Sequence, residues 1–216
     1  MKPSTCESSH IPLKMNRKYV QKNYRRMKNF TCLMLVSLMM IPQINSLMAQ
    51  NETIKTIHNR KSVRNYTDQP VKTEDLVTLV KAGMAAPSGM DRRPWEFYIL
   101  QDRGQMEALA QQLPYAKMVA NAQAAIIVLG NPDVSSYWYL DCSAATQNIL
   151  LAAESMGLGA VWTAAYPYED RMSAIIKTLN IPEPYKPLVL IPIGYPTGSD
   201  KPKDKWNEAK VHINGW

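Results

Sequence analysis

The chain has few of the residues on which several kinds of chemistry depend. Its 216 residues include only three cysteines and three histidines. Cys6 and Cys32 fall in the first fifty residues and only Cys142 lies beyond them. The body of the chain therefore has no partner for an internal disulfide and no cysteine pair for a metal. His58 and His212 stand far apart in that body, which argues against a zinc site and against a histidine-based triad. The body also lacks excess charge. The formal net charge is +7, but residues 1–49 hold eight Lys and Arg against Glu7 alone, leaving 17 cations and 17 anions after them. A nucleic-acid-binding domain would carry a basic patch of its own, so that class is disfavoured. The apolar run from Cys32 to Ile41 is too short to span a bilayer, and no internal repeat is present.

What the first 49 residues do have is the layout of an export signal. A cationic stretch ends near Lys28, the apolar run follows and breaks at Pro42, and small and polar residues lead to Ala49. This predicts a leader over 1–49 that is cleaved after Ala49, with Met27 an alternative start, and a protein exported to the periplasm without stable membrane association afterwards. A leader that does not function would leave the protein in the cytoplasm. Residues 50–216 are long enough for one good-sized core.

Within that domain, periodicity predicts a short helix over 51–59. A second helix opens at a Thr73 N-cap, with Leu76, Val80, Gly83 and Met84 on its apolar face. A strand over 96–100, a helix over 104–113 and a helical piece from Pro114 to about Ala122 follow. Residues 124–130 are continuously apolar, which suits a strand buried on both faces. The strongest helical pattern covers 136–156, rich in alanine and stopped by Gly157 and Gly159. A short strand over 160–163, a helix over 169–180 and an apolar strand over 188–194 complete the pattern. Pro192 in that last strand needs an unpaired backbone position. Alternating helices and strands with few hairpins indicate a layered α/β or α+β domain whose strand order periodicity leaves open.

Arg60-Lys61-Ser62-Val63-Arg64 places three cations and a hydroxyl within five residues. Together they fit an anionic group such as a phosphate; a solvated charge run fits as well. Three further stretches accompany it: Ala86 to Trp95, Gln147 through Gly159, and Ile193-Gly194-Tyr195-Pro196. In order and spacing the four resemble the FMN-dependent nitroreductase family, over about residues 51–216.

That resemblance implies an α+β sandwich around a mostly antiparallel sheet covered by helices. It implies an intertwined homodimer with two FMN molecules at its interface, each held by both subunits. NADH or NADPH serves as co-substrate, and a small electron-poor acceptor such as a nitroaromatic, quinone or flavin then reacts in the same place, in ping-pong fashion. The flavin carries the chemistry while the protein binds and orients. Arg60, Lys61 and Ser62 match the segment that engages the phosphate and ribityl side, and Arg64 a basic residue near the flavin. Pro87, Ser88 and Gly89 match the segment along the isoalloxazine ring. Asp91 stands where the family usually has Asn; an ionised Asp only accepts hydrogen bonds, so a pairing with Arg92 or Arg93 is expected. Ala164, Ala165 and Tyr166 match a loop whose backbone donors approach the flavin's N5 edge. Lys203 and Lys205 match a C-terminal basic pair at the phosphate; an ordinary solvated tail is the alternative. Trp138 fits either the substrate mouth or the core, and Cys142 a small buried apolar position. Family variants that dehalogenate or process the flavin, and an exported flavin-binding protein without turnover, are the competing functions.

Overall fold

The structure is a computed structural model and describes residues 52–216. The expected leader, the cleavage after Ala49 and the alternative start at Met27 lie outside the described residues. Thr53–Trp216 forms one compact unit.

Residues 52–59 are helical (α1). Helix α2 spans Thr73–Met84, with Glu74 and Asp75 in its first turn and Lys81 in its last, charges that complement the helix dipole. Its cap is Lys72 rather than the expected Thr73, whose hydroxyl donates instead to Gln101 Oε1 at 3.0 Å. The buried face is Leu76, Leu79 and Gly83; Met84 is exposed, against expectation. Helix α3 (Arg103–Gln112) is capped by Asp102, whose carboxylate accepts from the Gln105 N–H at 2.8 Å. The helical piece expected from Pro114 is a 3-10 turn confined to Lys117–Asn121.

Helix α4 spans Trp138–Ser155. Gly157, at φ +72, lets the Gly157 and Leu158 N–H groups turn back onto the carbonyls of Glu154 and Ala153. That is a Schellman closure, which favours glycine at this position. Helix α5 (Glu169–Leu179) closes on Asn180, at φ 53, with the Asn180 and Ile181 N–H groups both donating to Ile176 O.

The strands are β1 (Trp95–Leu100), β2 (Ala124–Gly130), β3 (Gly159–Ala160), β4 (Thr163–Ala164) and β5 (Lys186–Gly194). They form one sheet in the order β1-β2-β5-β3, with β4 also paired to β5, and every pairing is antiparallel. The fold is thus α+β, as the resemblance implies. The single strand expected over 160–163 is two short ones separated by Val161 and Trp162. Consequently the ladder on that side of β5 is interrupted opposite Ile191 and Pro192. Pro192 sits where no β3 or β4 partner requires an N–H from it.

The continuous apolar run of β2 has a simple cause. Ala124, Ile126 and Val128 face one core with α2 and α4, while Ala125, Ile127 and Leu129 face a second core with α3 and α5. Helices cover both faces, so neither set of side chains meets water.

Candidate active site

The pentapeptide is docked onto the sheet by its one apolar residue. Val63 is 1% exposed and its N–H donates to Ala160 O at 3.0 Å. Farther on, the Thr67 N–H donates to Tyr195 O at 2.8 Å, tying the segment to the chain just past β5. Gly159 makes the docking possible, because a Cβ there would lie 2.5 Å from Val63 Cγ1. With Val63 turned inward, Ser62 and Arg64 on either side of it line a surface cleft.

The C-terminal segment closes that cleft. The Arg64 N–H donates to Asp200 Oδ2 at 3.3 Å, and Asn65 Nδ2 to Ser199 Oγ at 3.4 Å. The result is a cleft of about 550 Å³ whose lining includes Arg60, Lys61, Ser62, Arg64, Lys203 and Lys205. Five of these are the residues expected on the phosphate side and the sixth, Arg64, was expected near the flavin; they come from segments some 140 residues apart in sequence. Sequence reasoning missed Ser199, Asp200 and Lys201, which complete the wall. Lys61 is not solely a ligand donor. Its ammonium is held by both carboxylate oxygens of Glu154, at 2.9 and 3.0 Å.

Arg64 also lines a second, more apolar cavity of about 370 Å³, bounded by Leu113–Ala116 and Val161–Ala164, with Arg171, Ile175 and Leu190. Only Arg64 and Ala164 of this wall were expected from sequence. The remainder of the 164–166 loop behaves differently from expectation. The N–H groups of Ala165 and Tyr166 both donate to Leu188 O, at 2.9 and 3.1 Å, so these two donors face the sheet rather than a ligand. The physical reason is β4, which adds this stretch to the edge of β5. Tyr166 packs edge-on against Trp138, ring centroids 4.8 Å apart, and Trp138 itself is buried in the core.

The Pro87–Asp91 loop forms a separate arrangement. Met90, Asp91 and Arg93 all adopt left-handed backbone, at φ 51, 54 and 48. Non-glycine residues in that region are strained and persist where surroundings hold them. Three contacts do so. Asp141 Oδ1 accepts from the Gly89 N–H at 2.9 Å, Ser88 Oγ from the Arg93 N–H at 3.1 Å, and Asp91 pairs with the Arg93 guanidinium, Nε to Oδ1 2.7 Å. The expected pairing of Asp91 thus falls to Arg93, while Arg92 donates to Val134 O. The hydrogen bond from Arg93 holds the Asp91 carboxyl below the ordinary carboxylate range.

Helix α4 organises both regions. Its only charged residues are Asp141 and Glu154. Asp141 is buried near the N-terminal end, where the helix dipole favours an anion, and it also accepts from Ser135 Oγ at 3.2 Å. Glu154 stands at the C-terminal end, where the dipole disfavours it, and Lys61 compensates. The two carboxylates are thirteen residues apart on one helix, about 20 Å along the axis. Each anchors one predicted site segment, so within a single subunit the 87–91 loop and the cationic cleft lie at opposite ends of α4. Neither carboxylate was singled out from sequence, although two charges on an otherwise uncharged helix are a readable signal.

Known proteins share this fold. A family model described as Nitroreductase family matches residues 57–114 and 105–195. A Methanothermobacter thermautotrophicus protein, provisionally named an NADH dehydrogenase/NAD(P)H nitroreductase, is 38% identical over 176 residues, 80% of this chain and 92% of its own. A crystal structure from Bacteroides thetaiotaomicron with the same provisional name is 55% identical with a TM-score of 0.75, over 76% of this chain and 98% of that one. A provisionally named nitroreductase from Desulfovibrio desulfuricans, crystallised in complex with FMN, is 25% identical with a TM-score of 0.66, over 74% of this chain and 95% of that one. With the family match covering most of the described residues and a fold shared at 55% identity, this chain belongs to the nitroreductase family.

Proposed function

We propose that the protein is an FMN-dependent oxidoreductase that uses NADH or NADPH to reduce nitroaromatics, quinones or similar electron-poor small molecules, by a ping-pong mechanism. The observation that carries this reading is the convergence of Arg60, Ser62, Arg64, Lys203 and Lys205 on one cleft that meets an apolar cavity at Arg64. The residues fit FMN. A dianionic phosphate suits a cleft with several ammonium and guanidinium donors and the Ser62 hydroxyl. A planar heteroaromatic ring suits an apolar cavity of about 370 Å³ lined by Trp162, Thr163 and Leu190. Bound there, FMN would supply the hydride chemistry. The chain's own groups bind and orient: Arg60, Ser62 and the C-terminal lysines hold the phosphate, and Lys61 is held back by Glu154.

The reading extends to a homodimer. About 20 Å of helix separates the 87–91 loop from the cationic cleft within one subunit, so a loop that reaches the ring must come from a second copy. Exposed Met90, Tyr137, Leu140, Trp206 and Trp216 are surface that such a copy would cover. Export to the periplasm is part of the same proposal, on the layout of residues 1–49.

The test is a comparison of FMN with riboflavin, which lacks the phosphate. In Arg60→Ala/Ser62→Ala protein, two charge-assisted bonds are lost. FMN binding is expected to weaken about a hundredfold, with little change for riboflavin. Equal FMN affinity in parent and variant would refute the assignment.

A further inference from the structure

Arg171 lies in the first turn of α5, beside Glu169 and Asp170. A helix N-terminus favours anions, so a cation at this position needs a compensating reason. Its contacts supply rigidity and no neutralisation. The guanidinium carbon lies 3.8 Å from the centre of the Tyr168 ring and 4.8 Å from that of Tyr115, and Nη1 donates to Ala164 O at 3.1 Å. Among the described residues no carboxylate lies within ion-pair distance of it. Arg171 is half-buried and lines the same cavity as Arg64, and no carboxylate lines that cavity. Two guanidinium groups, one held at Arg171 and one on the exposed Arg64, thus line a cavity with no carboxylate in its wall. Such a wall attracts negative charge in the cavity, more strongly than the same cations would in water.

We propose that Arg171 is a fixed cation of the flavin slot that makes the protein hold reduced flavin, whose ring is negatively charged, more tightly than oxidised flavin, whose ring is neutral. The proposal rests on the FMN reading above. A ligand shifts an equilibrium only by its differential affinity for two states. Here the differential is set by a charge that never titrates, because arginine remains protonated at all working pH values. Arg171 is accordingly a tuning residue: removing its charge lowers the affinity for reduced flavin while leaving that for oxidised flavin nearly intact.

The experiment measures FMN dissociation constants in the oxidised state and, anaerobically after dithionite, in the reduced state. Parent protein, Arg171→Gln and Arg171→Lys are compared. In Arg171→Gln the ratio of oxidised to reduced dissociation constants is expected to fall about tenfold, equivalent to lowering the bound flavin's two-electron potential by ~30 mV. Arg171→Lys keeps the charge and should keep most of the ratio, which a purely structural role through the tyrosine stack would not predict. An unchanged ratio in Arg171→Gln overturns the proposal. So does an equal loss in both variants, which would assign the effect to packing. Should Arg171→Gln fail to fold, Arg171→Met, which also removes the charge, takes its place, and the same outcomes support or overturn the proposal. Failure of the parent protein to bind FMN in either state overturns the FMN reading itself, and this proposal with it.

Discussion

Replacing Gly159 with alanine drives a methyl group into Val63. The added Cβ would lie 2.5 Å from Val63 Cγ1 and 2.8 Å from Val63 Cβ. A rotamer change moves only the γ carbons, so the contact with Cβ persists and the backbone of one segment must shift. Val63 is 1% exposed and its N–H is bonded to Ala160, the residue after the substitution, which leaves little room for that shift. Overpacking of this kind costs about 1–3 kcal/mol. For a domain of this size, that lowers the melting temperature by roughly 2–12 °C. The functional consequence follows from position. Ser62 and Arg64 flank Val63 and line the cationic cleft, so the same displacement would disturb the proposed phosphate contact of Ser62 and the position of Arg64, and FMN affinity is expected to drop by about tenfold. Thermal unfolding without ligand reads the first effect, and FMN titration reads the second. Combining Gly159→Ala with Val63→Ala should restore part of both losses, because the γ carbons are gone; the coupling is expected to exceed about 0.5 kcal/mol. A Gly159→Ala protein with parental melting temperature and parental FMN affinity would refute the docking argument.

Asp141→Ala removes the acceptor of both the Gly89 N–H and the buried Ser135 hydroxyl. It is expected to cost about 2–4 kcal/mol in urea unfolding. Asp141→Asn keeps one carbonyl oxygen and should cost less, and equal losses would contradict the assignment. Burial pushes the Cys142 thiol up to about 12, with Asp141 adding to the shift. In native protein beginning at Gln50, iodoacetamide at pH 8 should leave the thiol unmodified, whereas denatured protein should react at once; rapid native labelling would contradict its burial. A thiol pKa higher in the folded than in the unfolded state means the folded form retains its proton longer. This contribution to stability is therefore complete below the unfolded value of about 8.5, and is lost as pH rises from there toward about 12.

Elements whose signals are local were legible in the sequence. The alanine-rich pattern of α4 and its Gly157 stop follow from side-chain spacing and backbone freedom within a few residues. The apolar run of β2 revealed two covered faces, because no polar side chain interrupts it. The site was legible in part and for a different reason. The cations at 60–64 and at 203–205 are visible as residues, but their meeting depends on Val63 turning inward and on the 199–201 segment crossing over it. Contacts between distant residues left no periodic trace: Lys61 meets Glu154 across 93 positions, and Gly89 meets Asp141 across 52. The split of 159–164 into β3 and β4 was hidden because each is only two residues long. That split also turns the Ala165 and Tyr166 N–H groups to Leu188, a destination that no motif in the loop announces.

In the function proposed above, this chain holds FMN and passes electrons from a nicotinamide to a small acceptor. The most direct test of that function is the anaerobic absorbance spectrum of purified protein, reconstituted with FMN, before and after NADH or NADPH and then after a quinone or nitroaromatic. A bound flavin band is expected to bleach with at least one nicotinamide and to return with the acceptor. A protein that retains no FMN, or whose bound flavin is bleached by neither nicotinamide, would contradict it.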